Sequence, residues 1–259
     1  MTLNANPATS EDRLYEPTEA EMAVRIDLAA CYRLAAALGW DDLIYTHMTA
    51  RVPDSDDYLI NPMGLMFEEV TASNLVRITP KGQIVDDRTG LGYNVAGFVI
   101  HGAVHHARPD VGCVIHLHPL AGVAVSCQEG GLLPISQAAM MMDIALHDYE
   151  GLALDEDERA RLSDNLGLRN HMILRNHGLL TCGSTVPAAF IRLYELERAC
   201  EIQLAAQSGG AALCFPKASV SARLKQQVVP KDGAPSLTER LGWPALMRRL
   251  EKIDPGFRQ

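Results

Sequence analysis

The segment Cys113-Val114-Ile115-His116-Leu117-His118-Pro119 restricts the fold more than any other part of the chain. Its apolar run is too short for a helix. Arg108-Pro109-Asp110 and Pro119 bound it, so it reads as a buried strand from Gly112 to His118. On a strand, residues i and i+2 point to the same face. The imidazoles of His116 and His118 therefore project together at the strand's C-terminal end, where ligand sites of α/β sheets form.

The surrounding pattern alternates between the two periodicities. A helix is expected over Thr18 to Leu38, after an N-terminal leader at residues 1–17. Strands at Leu43 to Val52 and Tyr58 to Asn61 flank the turn Pro53-Asp54-Ser55-Asp56, and Val76 to Ile78 with Gln83 to Val85 form a hairpin at Lys81-Gly82. Helices follow over Val95 to Ala107, from Leu120, and over Asp155 to Leu166. Strands His171 to Arg175 and Leu179 to Cys182 enclose Asn176-His177-Gly178. Ser184 is the expected cap of a long helix, Ala188 to Gln207, with Pro187 in its first turn. Hairpins mixed with strand–helix alternation predict a mixed, largely antiparallel sheet covered by helices on both faces. This domain spans 18–210, and a proline-containing C-terminal extension at 211–259 is expected to pack on it or on a neighbouring subunit.

A chain of 259 residues that is 47% hydrophobic can bury one large core. The formal net charge of −9, without any cluster of Lys and Arg, disfavours a nucleic-acid partner. No apolar run approaches the ~20 residues of a membrane span. The start is acidic and polar where a secretion signal needs basic and apolar stretches, so a cytoplasmic location is expected. Six cysteines without a C-x-x-C pair read as reduced core thiols.

His177, at the end of another short apolar strand and followed by Gly178, is the third candidate ligand beside His116 and His118. Three neutral imidazoles suit a divalent metal, zinc first, with Fe(II), Mn or Co also compatible. Three protein ligands leave coordination positions for water or substrate, the catalytic rather than the structural pattern. His101 and His105 share a face of the preceding helix at i and i+4 and either flank the site or bind metal themselves.

The run from Gly97 through His118, together with Asn176-His177-Gly178-Leu179-Leu180, resembles the class II aldolase/adducin family, and Asn61-Pro62-Met63-Gly64 and Thr71-Ala72-Ser73-Asn74-Leu75 resemble its preceding loop. The resemblance covers roughly residues 20–210. It implies a three-layer α/β/α sandwich, a homotetramer with sites between subunits, and a metal on the three matched histidines. Aldolases of the family carry a glutamate nineteen residues before the first metal histidine; Gly97 stands there in this chain. Their tyrosine is likewise missing after Pro134, and their glycine- and serine-rich phosphate loops are replaced by Tyr45-Thr46-His47-Met48-Thr49 and Asn61-Pro62-Met63-Gly64-Leu65-Met66. The chain thus looks closer to the adducin-like branch, and a sugar phosphate is not the expected substrate.

A metal that chelates a carbonyl and a neighbouring oxygen serves aldol cleavage and decarboxylation alike. Cleavage must deprotonate a hydroxyl, whereas loss of CO2 needs an electron sink and only later a proton donor. The first expectation is therefore a metal-dependent lyase acting on a small unphosphorylated oxo-acid or hydroxy-carbonyl compound. His101, His105, Tyr93 and His47 are the catalytic candidates, and Arg51, Asn61 and Gly64 the substrate-binding ones. Two alternatives stand beside it: a three-histidine Fe(II) oxygenase acting on an aromatic oxo-acid, and a non-enzymatic adducin-like assembly or binding module.

Overall fold

Apolar alternation and the hairpin turns arrange the strands into one sheet. A computed structural model of the protein describes residues 15–151, 156–228 and 234–259. Most of the expected leader, residues 1–14, and the expected helix start at Asp155 lie outside the described residues. The strands are β1 (His47–Arg51), β2 (Tyr58–Ile60), β3 (Val76–Ile78), β4 (Ile84–Asp86), β5 (Cys113–Leu117), β6 (Ile144–His147), β7 (His171–Leu174) and β8 (Gly178–Gly183). Their order is β4-β3-β2-β1-β5-β8-β7-β6. Every pairing is antiparallel except that of β6 with β7.

The helices are α1 (Glu19–Ala37), α2 (Val95–Ala107), α3 (Leu120–Ser126), α4 (Gln137–Met141), α5 (Glu156–Leu166), α6 (Val186–Ser208), α7 (Ala218–Val228) and α8 (Trp243–Ile253). Alternation along β5 divides them into layers. Ile115 and Leu117 join Leu28 and Tyr32 of α1 and Phe190 and Leu193 of α6 in one core. Val114 points the other way, into a second core with Val104 of α2, Leu162 of α5 and Leu180 of β8. The result is an α/β/α sandwich, with β5 covered on both faces.

Several boundaries differ from expectation for local reasons. The strand expected from Leu43 begins only at His47, because Leu43 (φ 52°) and Thr46 (φ 68°) adopt left-handed conformations that no strand accommodates. Helix α6 is capped by Thr185, whose Oγ1 accepts from Ala188 N at 3.2 Å, rather than by Ser184. Helix α4 and strand β6 escape prediction because each is only one turn or four residues long, too short for a periodicity to show, although Ser136 caps α4. Cys31, Cys113, Cys182 and Cys200 are buried free thiols, but Cys127 and Cys214 are exposed. No described helix is long and apolar enough to cross a membrane.

The C-terminal segment lies against α1. Trp243 Nε1 donates to Asp27 Oδ1 at 3.2 Å, Arg33 pairs with Asp254 at 2.6 Å, and Ala72 N donates to Phe257 O at 2.9 Å.

Candidate metal centre

Strand β5 delivers His116 from its buried end and His118 one residue past it, and the β7–β8 turn delivers His177. One ring nitrogen from each lies within 4.8 Å of the other two, the one such His/Cys/Asp/Glu group among the described residues. The ring centroids of His177 stand 4.7 Å from His116 and 4.8 Å from His118. Gly178 contributes through space rather than through backbone freedom. The left-handed residue of the turn is Asn176 (φ 56°), while Gly178 supplies clearance: a Cβ there would come within 2.7 Å of Leu117 O and 2.8 Å of His118 Cδ2. Leu43 and Thr46, before β1, are further left-handed non-glycine residues, and Asp54 in the β1–β2 turn is another.

Hydrogen bonds fix the ring orientations. His116 Nδ1 lies 3.0 Å from Leu179 O, and His118 Nδ1 lies 2.9 Å from Asp42 Oδ2. A carbonyl and a carboxylate can only accept, so both Nδ1 atoms carry the hydrogen, and in the neutral form of each ring Nε2 keeps a lone pair. Those two Nε2 atoms face each other at 3.1 Å. Burial pushes the pKa of His116 well below its usual value, and burial followed by the proximity of His118 lowers His177 to about 4. Two lone pairs at that separation repel unless a proton or a metal ion lies between them. The donor set therefore fits a divalent metal, with Asp42 and the Leu179 carbonyl orienting the ligands from behind.

The remaining candidates separate into two groups. His47 is opposite His116 in the β1–β5 register, with ring centroids 5.6 Å apart. His101 stacks on His47 at 4.1 Å, and the Thr49 hydroxyl links His101 Nδ1 to His105 Nε2, 2.9 Å from each. Burial lowers His47 to about 4 and His105 to about 3, and it holds His101 well below the usual histidine range. At neutral pH these rings are uncharged, so each can donate only as a neutral imidazole and not as an imidazolium. Asn61 is buried, its Oδ1 2.8 Å from the Tyr32 hydroxyl, and Gly64 (φ 89°) is in the exposed turn after β2.

Arg51 and Tyr93 are elsewhere. Arg51 ends β1, roughly 13 Å along the strand from His47, where it donates to His105 O at 3.0 Å and lies over the Tyr58 ring. That strand length sets Arg51, expected as a carboxylate anchor, apart from the three metal-site histidines of this chain. Tyr93 donates to Gly82 O at 2.7 Å and packs on Phe98, in the separate core around Tyr58 and Val76.

Two neighbours of the centre escape sequence reasoning. Asp42 carries no periodic signal, being one of a pair of surface aspartates. Tyr149 follows β6, is exposed, and presents its ring 6.2 Å from that of His177. Only the parallel pairing of β6 with β7 brings it there.

Residues 26–204 match the class II aldolase and adducin N-terminal domain. A protein of Pseudomonas aeruginosa, named provisionally as an aldolase class 2 protein, is 48% identical over 93% of both chains. Mouse alpha-adducin is 48% identical over 73% of this chain but only 27% of its own length. Among solved structures, an aldolase II superfamily protein from Pseudomonas syringae superposes with a TM-score of 0.90 at 50% identity, covering 96% of this chain and 98% of its own. The L-fuculose 1-phosphate aldolase of Glaciozyma antarctica superposes with a TM-score of 0.81 at 25% identity, covering 95% and 97%. By sequence and by fold, the chain belongs to the class II aldolase and adducin family.

Proposed function

We propose that the protein is a metal-dependent carbon–carbon lyase acting on a small unphosphorylated oxo-acid, by decarboxylation or an atypical aldol cleavage. The observation that carries this reading is the pair of Nε2 lone pairs 3.1 Å apart, with both Nδ1 atoms committed to acceptors. A divalent metal bound there, zinc in the first instance, would polarise a carbonyl and a neighbouring oxygen of the substrate. Three neutral imidazoles leave the charge of such an ion uncompensated, which favours an anionic chelator with two oxygens over a neutral diol. The similarity to a structure named as a sugar-phosphate aldolase supports carbon–carbon lyase chemistry.

The chain's own residues divide the work. Asp42 and the Leu179 carbonyl hold the ligand rings; His47 and His101 form the dry wall behind His116. Tyr149, whose phenol is exposed beside His177, is the donor placed to return a proton to product. The exposed apolar side chains of Leu43, Tyr45 and Leu120 near this rim suit burial in a homotetramer.

The test is turnover of a panel of 2-oxo and 3-hydroxy-2-oxo acids by zinc-loaded protein, read as CO2 or aldehyde release. H116A should lose both metal and turnover, and Y149F should keep the metal while turnover falls about 100-fold. Undiminished turnover by metal-free protein would contradict the lyase. A second reading, an adducin-like assembly module, draws on the 48% identity to alpha-adducin. It predicts normal assembly by the H116A variant with no turnover by either protein.

A further inference from the structure

Gly97 occupies the first turn of α2, where its N–H is capped by Asn94 Oδ1 at 3.1 Å. Its φ is not left-handed, so backbone conformation does not demand glycine. Space does. A Cβ at this position would come within 2.2 Å of His47 Nε2 and within 2.6 Å of two further atoms of the same ring. That contact is with a rigid ring held on its other sides, not with the free end of a flexible chain.

The His47 ring is buried, and its nitrogens make no well-aligned hydrogen bond, although the Gly97 backbone is close enough to favour its protonated form slightly. Packing therefore does most to locate it: His101 lies parallel to one face at 4.1 Å, Gly97 fills one side, and the His116 ring stands at 86° to it. Because His47 and His116 are directly opposed across β1 and β5, their side chains share one face of the sheet. A displacement of His47 away from Gly97 is transmitted to the ring of His116. Thr46, left-handed at φ 68°, aims His47 into this position, and the same short loop carries Asp42 to His118.

We propose that Gly97 and His47 form a size interlock that sets the position of His116, making His47 a positioning residue of the metal centre. The proposal rests on the metal-centre reading above and not on the reaction assigned to it. The interlock also keeps position 97 clear of the ion, and among the described residues the three imidazoles are the one group gathered to hold it.

The experiment is titration of the apo-protein with cobalt(II), followed by visible absorption, for wild type, G97A, H47A and the G97A/H47A double variant. Glycine to alanine in a helix ordinarily raises stability, so a loss in G97A cannot come from helix propensity. G97A is expected to bind cobalt at least about tenfold more weakly, with an altered spectrum. In the double variant the methyl group enters the space vacated by the ring, and affinity should return to that of H47A. Wild-type affinity and spectrum in G97A would overturn the interlock, as would additive losses in the double variant. If G97A fails to fold, the comparison of H47A with the double variant decides: equal affinities support the interlock, and a further loss contradicts it. Cobalt binding is read without substrate, so an incorrect choice of reaction leaves all these outcomes unchanged.

Discussion

The carboxylate of Asp42 receives the Nδ1 hydrogen of His118 at 2.9 Å, across 76 residues of sequence. This contact joins the strained loop before β1 to a ligand at the end of β5. It orients the ring and favours the tautomer that leaves Nε2 free for a metal. The Asp42 side chain is about half exposed, so its removal should cost the fold little. D42N should lower metal affinity by about 10- to 100-fold while the apo-protein's melting temperature stays unchanged. Unaltered affinity in a competition titration with a chromogenic chelator would show that the pair is incidental.

Histidines outside the ligand set predict a pH dependence of stability. His105 and His171 each fall from 6.5 to about 3, chiefly through burial and then through the neighbouring charges of Arg51 and Arg192 respectively. In the unfolded chain they titrate near the ordinary value. Between the two values the unfolded state binds more protons, so stability is complete above about pH 6.5 and declines as the pH falls toward 3. The urea midpoint of apo-protein should drop between about pH 7.5 and 5.5, and H171Q should reduce that slope. A flat profile in wild type would contradict the neutral state of these rings in the folded protein.

Arg25 is fully buried, paired with Glu21 at 2.7 Å and donating to Ala72 O at 3.2 Å and Leu75 O at 3.0 Å. Removing Arg25 leaves Glu21 with Arg77, at 2.9 Å, as its remaining cationic partner and leaves the Ala72 and Leu75 carbonyls without their donor, a loss on the order of 3 kcal/mol. R25M should destabilise the protein by that order in urea unfolding, without changing metal stoichiometry. A loss below about 1 kcal/mol would mean that the pair is worth no more than a surface one.

Glu197 of α6 accepts from Ala121 N at 3.1 Å and Gly122 N at 2.7 Å, closing the open end of α3 just after the metal strand. E197A leaves two buried donors unsatisfied, and a loss of about 1–3 kcal/mol is expected. Calorimetry should show it as a melting temperature lower by several degrees. An unchanged melting temperature would indicate that water takes over the cap.

How much of this is readable from sequence follows from the range of each interaction. The period of two along Cys113–Leu117 puts His116 and His118 on one face, and that regularity is local. The short strand and turn around His177 are local as well. Asp42, Tyr149 and the contact of Gly97 with His47 depend on strand register and on the approach of α2 to β1, which no periodicity encodes. The place of Arg51 depends on the same geometry: it shares a strand with His47, and five residues of extended chain put it at the other end. Gly97 stands out in sequence only as an absent side chain, and the fold shows that another ring uses its space.

The most direct measurement is the metal content of protein purified without added metal or chelator, by plasma mass spectrometry, beside H116A, H118A and H177A. The account predicts about one equivalent of a divalent transition metal per chain in the native protein and nearly none in each variant. Native protein that holds no metal and takes up neither zinc nor cobalt on reconstitution would contradict it.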